Sequence, residues 1–103
     1  MKNLFLTIQR KYFEEILMGL KREEYRLFKP FFEKKLINIE YKTITFKNGY
    51  SKHSPFIIAE YLGYDIIELQ HEFFGKEKVK VFQIKIGKLL KTKNLSKQIN
   101  FKF

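Results

Sequence analysis

The residues with the clearest chemical potential lie in one stretch, Gly19-Leu20-Lys21-Arg22-Glu23-Glu24-Tyr25-Arg26. Lys21 can hold a phosphate by its charge, and it can act as a base or nucleophile where its surroundings favour the neutral amine. Glu24 can remove a proton or accept a hydrogen bond from a cytosine amino group. Arg26 offers a planar fork that suits phosphates and base edges. The stretch is therefore either the floor of a polar cleft or a charged, solvated edge strand.

A strand and a helix precede this stretch and must position it. Asn3–Ile8 is a continuous apolar run of strand length. Arg10–Met18 then changes to the period of an amphipathic helix, and Gly19 supplies the stop.

The charged stretch itself predicts a strand over Arg22–Phe28. Strand geometry places Glu24 and Arg26 on one face about 7 Å apart, within reach of each other or of a shared ligand. They form either a ligand-binding pair or a structural salt bridge. Tyr25 points to the opposite face, where we expect it in the core.

The rest of the chain predicts a sheet around these residues. Asn48-Gly49 is a strong signal for a tight turn, and Gly63-Tyr64-Asp65 predicts a turn or kink. The other elements are a short helix over Pro30–Leu36, strands over Tyr41–Lys47, Phe56–Leu62, Ile66–Leu69 and Val79–Ile86, and short closing strands at Leu89-Leu90 and around Ile99, Phe101 and Phe103. We predict one α+β domain over residues 1–103, a small pseudo-β-barrel of about five or six mostly antiparallel strands with two helices.

The positive charge is concentrated at one end of the sequence. The net charge is +10, and residues 76–103 hold nine Lys and one Glu, whereas residues 1–75 carry only +2. A basic C-terminal third is typical of a protein that binds a polyanion. An acidic protein partner would be served by the same charge, and lysines also protect strand edges and solubility.

These features nominate a set of nucleic-acid-binding residues. Tyr50, beside the predicted turn, is either a stacking surface for a base or a packed aromatic residue. The candidates are Lys21, Arg22, Arg26, Asn48, Tyr50, Lys88, Lys91 and Lys93.

Several kinds of site are not indicated by the sequence. The chain has no cysteine, which excludes disulfides and thiolate metal sites. His53 and His71 lie eighteen residues apart without a carboxylate cluster at ligand spacing, so we expect no metal site. No nucleotide or dinucleotide fingerprint is visible, and we expect no cofactor. Without a long apolar run or a signal-peptide pattern, we expect a cytoplasmic protein with no membrane partner.

The order of elements, together with Lys21, Glu24 and Arg26, resembles the ASCH domain, a branch of the PUA-like superfamily. The resemblance covers most of the chain, and its Asn48-Gly49-Tyr50 turn is similar to that of small stand-alone members often borne by phages or mobile elements. It includes the first strand, the helix ending Ile16-Leu17-Met18-Gly19, the signature Lys21-x-x-Glu24-x-Arg26, the Pro30-Phe31-Phe32 helix, the turn Phe46-Lys47-Asn48-Gly49-Tyr50 and the strand ending Ile84-Lys85-Ile86-Gly87-Lys88. It implies a PUA-like pseudo-barrel whose cleft, between the helices and the sheet, takes RNA or a modified nucleoside.

The resemblance also bears on catalysis. Some family members are amidohydrolases that remove the acetyl group from N4-acetylcytidine, and others are associated with RNA cleavage. In the amidohydrolase branch the signature carries a catalytic Lys and Thr, with a Glu farther along. Lys21 matches the lysine, Glu24 stands at the threonine position, and Glu60, Glu68 and Glu72 are all candidates for the distant Glu. Lys21 and Glu24 are therefore the catalytic candidates, although a carboxylate at position 24 favours the protonated lysine.

Three functions follow from these observations. The first is binding of RNA or a modified nucleoside in the cleft around the Lys21–Arg26 strand. The second is a small amidohydrolase or ribonuclease that uses the same cleft. The third is a non-catalytic inhibitor that docks on an RNA-guided nuclease or another nucleic-acid-binding protein.

Overall fold

A mixed sheet of five strands carries two helices in the computed structural model, which describes residues 2–70 and 77–95. The elements are β1 (Asn3–Thr7), α1 (Arg10–Leu17), β2 (Glu23–Leu27), α2 (Pro30–Leu36), β3 (Thr43–Lys47), β4 (Phe56–Leu69) and β5 (Val79–Lys93). The predicted α+β class and both helices are confirmed, and the first strand, α1 and β2 end within one residue of their predicted limits.

The strands lie in the order β1-β3-β4-β5-β2. β1 runs parallel to β3, and the other three neighbouring pairs are antiparallel. β1 and β2 are thus the outer strands, and no ladder of backbone hydrogen bonds joins them within the described residues. The sheet is open in this part of the chain, so closure into the predicted pseudo-barrel is not confirmed.

The second half of the sheet is built from two long strands, which corrects the prediction of four short ones. β4 has 14 residues and β5 has 15. The register between them shifts at Ile58/Ala59, Ala59/Tyr61 and Tyr61/Tyr64. Gly63, with φ of 91°, lets an extra residue enter the strand as a bulge, so the predicted kink bends β4 without ending it. The predicted strands around Ile99, Phe101 and Phe103 lie outside the described residues.

The hydrophobic core lies on one face of the sheet, here called the inner face, where α1 contributes Phe13 and Ile16 and α2 contributes Leu36. Alternate strand residues point to this face, as period-two geometry requires. They are Leu4, Leu6, Ile44, Phe46, Ile57, Ala59, Phe82, Ile84 and Ile86, all at most 5% exposed. The residues between them form the outer face. Burial of each large inner side chain contributes about 1.5–3 kcal/mol to the stability of the folded state.

Candidate functional site

The turn after α1 places Lys21. The backbone N–H of Leu20 donates to Glu15 O at 2.8 Å, and that of Gly19 donates to Ile16 O at 3.1 Å. This is the Schellman pattern, which needs a residue at positive φ, and Gly19 has φ of 77°. The helix therefore stops where the sequence predicts. Leu20, which continues the apolar stripe of the helix in the sequence, is carried out of the core and is 75% exposed.

Glu24 is buried between two cations. It is 7% exposed, and the strand residue opposite it is the buried Ile84. Its Oε2 accepts hydrogen bonds from Arg26 Nε at 3.0 Å and Nη2 at 2.7 Å, and its Oε1 lies 3.4 Å from Lys21 Nζ. These three residues, here called the Lys21–Arg26 cluster, therefore share one ionic network, in which two positive charges face one carboxylate.

Arg26 connects the two outer strands of the sheet. Besides its bonds to Glu24, its Nη2 donates to Thr7 O, at the end of β1, at 2.9 Å. The guanidinium carbon also lies 5.7 Å from the centre of the Phe32 ring on α2. The Glu24–Arg26 pair therefore forms the salt bridge that the sequence offered as one alternative. The bond from Arg26 to Thr7 O also links β2 to β1.

Lys21 lies between two tyrosine rings. Its Nζ is 5.3 Å from the ring centre of Tyr12, on α1, and 5.3 Å from that of Tyr25, on β2. Its side chain is 16% exposed. These are cation–π contacts, which a charged ammonium makes. Sequence reasoning missed Tyr12, because the spacing from residue 12 to residue 21 does not indicate that the Tyr12 ring contacts Lys21.

The prediction that Tyr25 belongs to the core is wrong. Tyr25 is only partly buried and stands outside the core cluster. Its hydroxyl accepts a hydrogen bond from Gln83 Nε2 at 3.2 Å, on the outer side of β5. The face that carries Glu24 and Arg26 is the inner one, so the alternate residue Tyr25 has to lie on the other face.

Arg22 directly precedes β2, and Lys88 belongs to β5. Ile86 N donates to Arg22 O at 2.9 Å, which extends the β2–β5 ladder by one bond. Two residues farther on, Lys88 N donates to Glu60 Oε1 at 2.9 Å. Glu60, a candidate for the distant catalytic Glu, is thus engaged with β5. Glu68 lies opposite Lys80 in the β4–β5 ladder, and Glu72 lies outside the described residues.

Lys91 and Lys93 do not join the Lys21–Arg26 cluster. Both are exposed, and they stand opposite Ile58 and Phe56 in the β4–β5 ladder. Phe56 and Ile58 flank the inner residue Ile57 along β4, so they and the two lysines opposite them lie on the outer face. The predicted nucleic-acid-binding residues therefore divide between two surfaces of the domain.

Asn48 and Tyr50 belong to a loop at the second surface. Asn48 has no positive φ, so the tight turn is replaced by a loop over residues 48–55, in which Asn48 Nδ2 donates to Ile8 O at 2.9 Å. Tyr50 is 90% exposed, so the alternative of a packed aromatic residue is wrong. Asn94 Nδ2 donates to Ser54 O at 3.3 Å, which places this loop beside the end of β5.

Two open depressions occur elsewhere on the domain. Their volumes are about 840 and 700 Å³, and both are lined by Ile39, Glu40, Lys42 and Tyr64. Neither is lined by a residue of the Lys21–Arg26 cluster. The second also includes Tyr61, whose buried hydroxyl has no hydrogen-bond partner in the described part of the chain. Burial, reinforced by Tyr64 and Tyr41, raises the pKa of Tyr61 to about 12.

The described residues contain no group of three His, Cys, Asp or Glu side chains that could hold a metal ion. Over residues 2–70 and 77–95, neither helix has the length and apolar character needed to cross a membrane.

Comparison of the chain with protein-family models, with curated proteins and with solved structures gave no match.

Proposed function

We propose that this chain is an RNA-binding domain of the ASCH type that takes RNA or a modified nucleoside at the Lys21–Arg26 cluster. The observation that carries the proposal is the composition of that cluster. Two cations surround a single carboxylate, and the side chains of Lys21 and Arg26 remain 16% and 21% exposed. A phosphate or a base edge reaching these groups meets excess positive charge and charge-assisted donors.

A pseudo-barrel of the PUA-like kind is part of the proposal. The bond from Arg26 Nη2 to Thr7 O bridges the two outer strands, where such a barrel would close. The bulges along β4 support the same architecture, because extra residues in one strand increase its bend and twist.

The contacts of Glu24 and Lys21 favour binding over catalysis. A general base needs an oxygen that can accept a proton from the substrate, whereas each oxygen of Glu24 faces a cation. A nucleophilic lysine needs surroundings that favour the neutral amine, whereas Nζ of Lys21 lies beside a carboxylate and two ring faces. We therefore place amidohydrolase and ribonuclease activity second to binding.

The test is binding of a fluorescent single-stranded RNA of about 12 nucleotides, a length within the range of single-strand-binding sites, measured by anisotropy at increasing salt. Lys21→Met should lower affinity at least about tenfold, because a charged hydrogen bond is worth roughly 1.5–3 kcal/mol. Lys34→Met is the matched control, since it removes an exposed lysine from α2. A second assay measures the release of acetate from N4-acetylcytidine.

The outcomes separate the functions. Binding that Lys21→Met weakens and Lys34→Met does not, without release of acetate from N4-acetylcytidine, supports the proposal. Wild-type turnover that Lys21→Met abolishes would show an enzyme instead. An absence of RNA binding even at low salt would contradict the proposal.

A further inference from the structure

The carboxylates of this protein are excluded from a large part of its sheet. No Asp or Glu occurs in β1, β3 or β5, in the loop over residues 48–55, or in the first four residues of β4. The sheet's acidic residues are confined to β2 and to residues 60–69 of β4. Because β1, β3, the start of β4 and the end of β5 are consecutive neighbours, this acid-free region is continuous.

The strand register brings basic and aromatic residues together on the outer face of this region. One row across the four strands is Phe5, Thr45, Ile58 and Lys91, and the next row is Thr7, Lys47, Phe56 and Lys93. Four strands span about 14 Å. Phe5 is 45% exposed, whereas its neighbours Leu4 and Leu6 are buried, which fixes the direction in which its ring points.

The loop over residues 48–55 extends the same surface. The bond from Asn94 Nδ2 to Ser54 O holds it beside Lys93, and a bond from Ser51 N to Ser54 Oγ at 3.1 Å closes it on itself. Tyr50 is therefore an exposed ring on a locally braced loop.

Strand protection and solubility explain only part of this arrangement. Lysines along an unpaired strand edge prevent edge-to-edge association. Residues 87–93 of β5 form such an edge, because they are unpaired on one side within the described part of the chain. Lys47, however, lies on β3, which has β1 on one side and β4 on the other. Neither effect accounts for two exposed aromatic rings among the cations.

We propose that this outer face binds single-stranded nucleic acid, with Phe5 and Tyr50 stacking on bases and Lys47, Lys91 and Lys93 holding phosphates. Aromatic side chains on a basic surface are the combination that binds single strands with little sequence preference. The inference rests on the proposed RNA binding, and it assigns to the same ligand a second surface away from the Lys21–Arg26 cluster.

The test compares three labelled probes of about 12 nucleotides, an oligouridine RNA, the DNA of the same sequence and a duplex RNA. Phe5→Thr and Tyr50→Ser should each weaken single-strand binding at least about fivefold, the low end for loss of one stacked base. The matched control is Phe31→Thr, because Phe31 is 64% exposed on α2, away from this face. The pair Lys91→Gln and Lys93→Gln should flatten the log–log salt dependence by about 1.4.

The results distinguish failure of the proposed function from failure of the outer-face assignment alone. If no probe binds at low salt, the proposed function fails and this inference fails with it. If Lys21→Met weakens binding while Phe5→Thr and Tyr50→Ser do not, the function stands and the outer-face assignment is overturned. Preference for the duplex, or an equal loss in Phe31→Thr, overturns it too. Tyr50→Ser alters an exposed loop residue, so it decides the matter even if Phe5→Thr fails to fold.

Discussion

Replacing Arg26 by Met tests whether the Lys21–Arg26 cluster holds the fold together. The variant removes two hydrogen bonds to Glu24 Oε2 and the bond to Thr7 O that links the two outer strands. It leaves Glu24, which is 7% exposed, with only Lys21 as a described cationic neighbour.

The magnitude follows from the burial of the partners. Breaking a buried ion pair by removing one partner costs about 3–5 kcal/mol. The Arg26 side chain is 21% exposed and Lys21 still faces the carboxylate at 3.4 Å, so we expect a loss of about 2–3 kcal/mol. With a urea m-value of about 1.5 kcal/mol/M, the unfolding midpoint should fall by roughly 1.3–2 M.

The control is Arg10→Met. Arg10 forms an ion pair of similar length with Glu14, at 2.8 Å, but the two side chains are 49% and 30% exposed. Such a pair is worth less than about 0.5 kcal/mol. The double variant Glu24→Gln plus Arg26→Met should lose less unfolding free energy than the two single variants lose together, because no buried carboxylate is left uncompensated. If Arg26→Met shifted the midpoint no more than Arg10→Met does, the structural role assigned to this cluster would be refuted.

Two further variants probe β4 and β5. Tyr61→Phe should be neutral or stabilising at pH 7, because an unpartnered buried hydroxyl costs about 1–3 kcal/mol. With its pKa raised to about 12, Tyr61 keeps its proton in the folded state between pH about 10 and 12 while the unfolded chain loses it. Urea midpoints should therefore fall with rising pH in that window, and fall less in Tyr61→Phe. Gly87→Ala should cost about 1–3 kcal/mol, measured in the same assay, because the added Cβ would lie 2.9 Å from Glu60 Cβ; an unchanged midpoint would contradict this.

The sequence predicts the local elements better than the way they join. Strong local signals mark the amphipathic period of α1, the stop at Gly19 and Pro30 at the start of α2, and the structure has all three. The length of β4 has no such signal. Gly63 favours a turn by composition, and only pairing with a neighbouring strand converts it into a bulge inside a continuous strand.

The candidate site was predictable to a similar degree. Period-two geometry correctly places Glu24 and Arg26 on one face, since it depends only on their spacing. It does not say which face of β2 meets the core, and apolar preference alone favours the face of Tyr25. The ionic network overrides that preference, because Glu24 is compensated by Lys21 and Arg26 and can be buried where a lone carboxylate could not.

Because Glu24 is buried, substitutions of its two cationic partners differ in whether they can separate ligand binding from folding. Arg26 carries both roles, since its guanidinium holds Glu24 and Thr7 while part of the side chain stays exposed. A loss of RNA binding in an Arg26 variant would therefore not distinguish a missing contact from a distorted sheet. Lys21 lies at 3.4 Å from Glu24 and makes no bond to β1 among the described contacts. If Lys21→Met retains the wild-type unfolding midpoint and loses affinity, the cluster acts on the ligand directly.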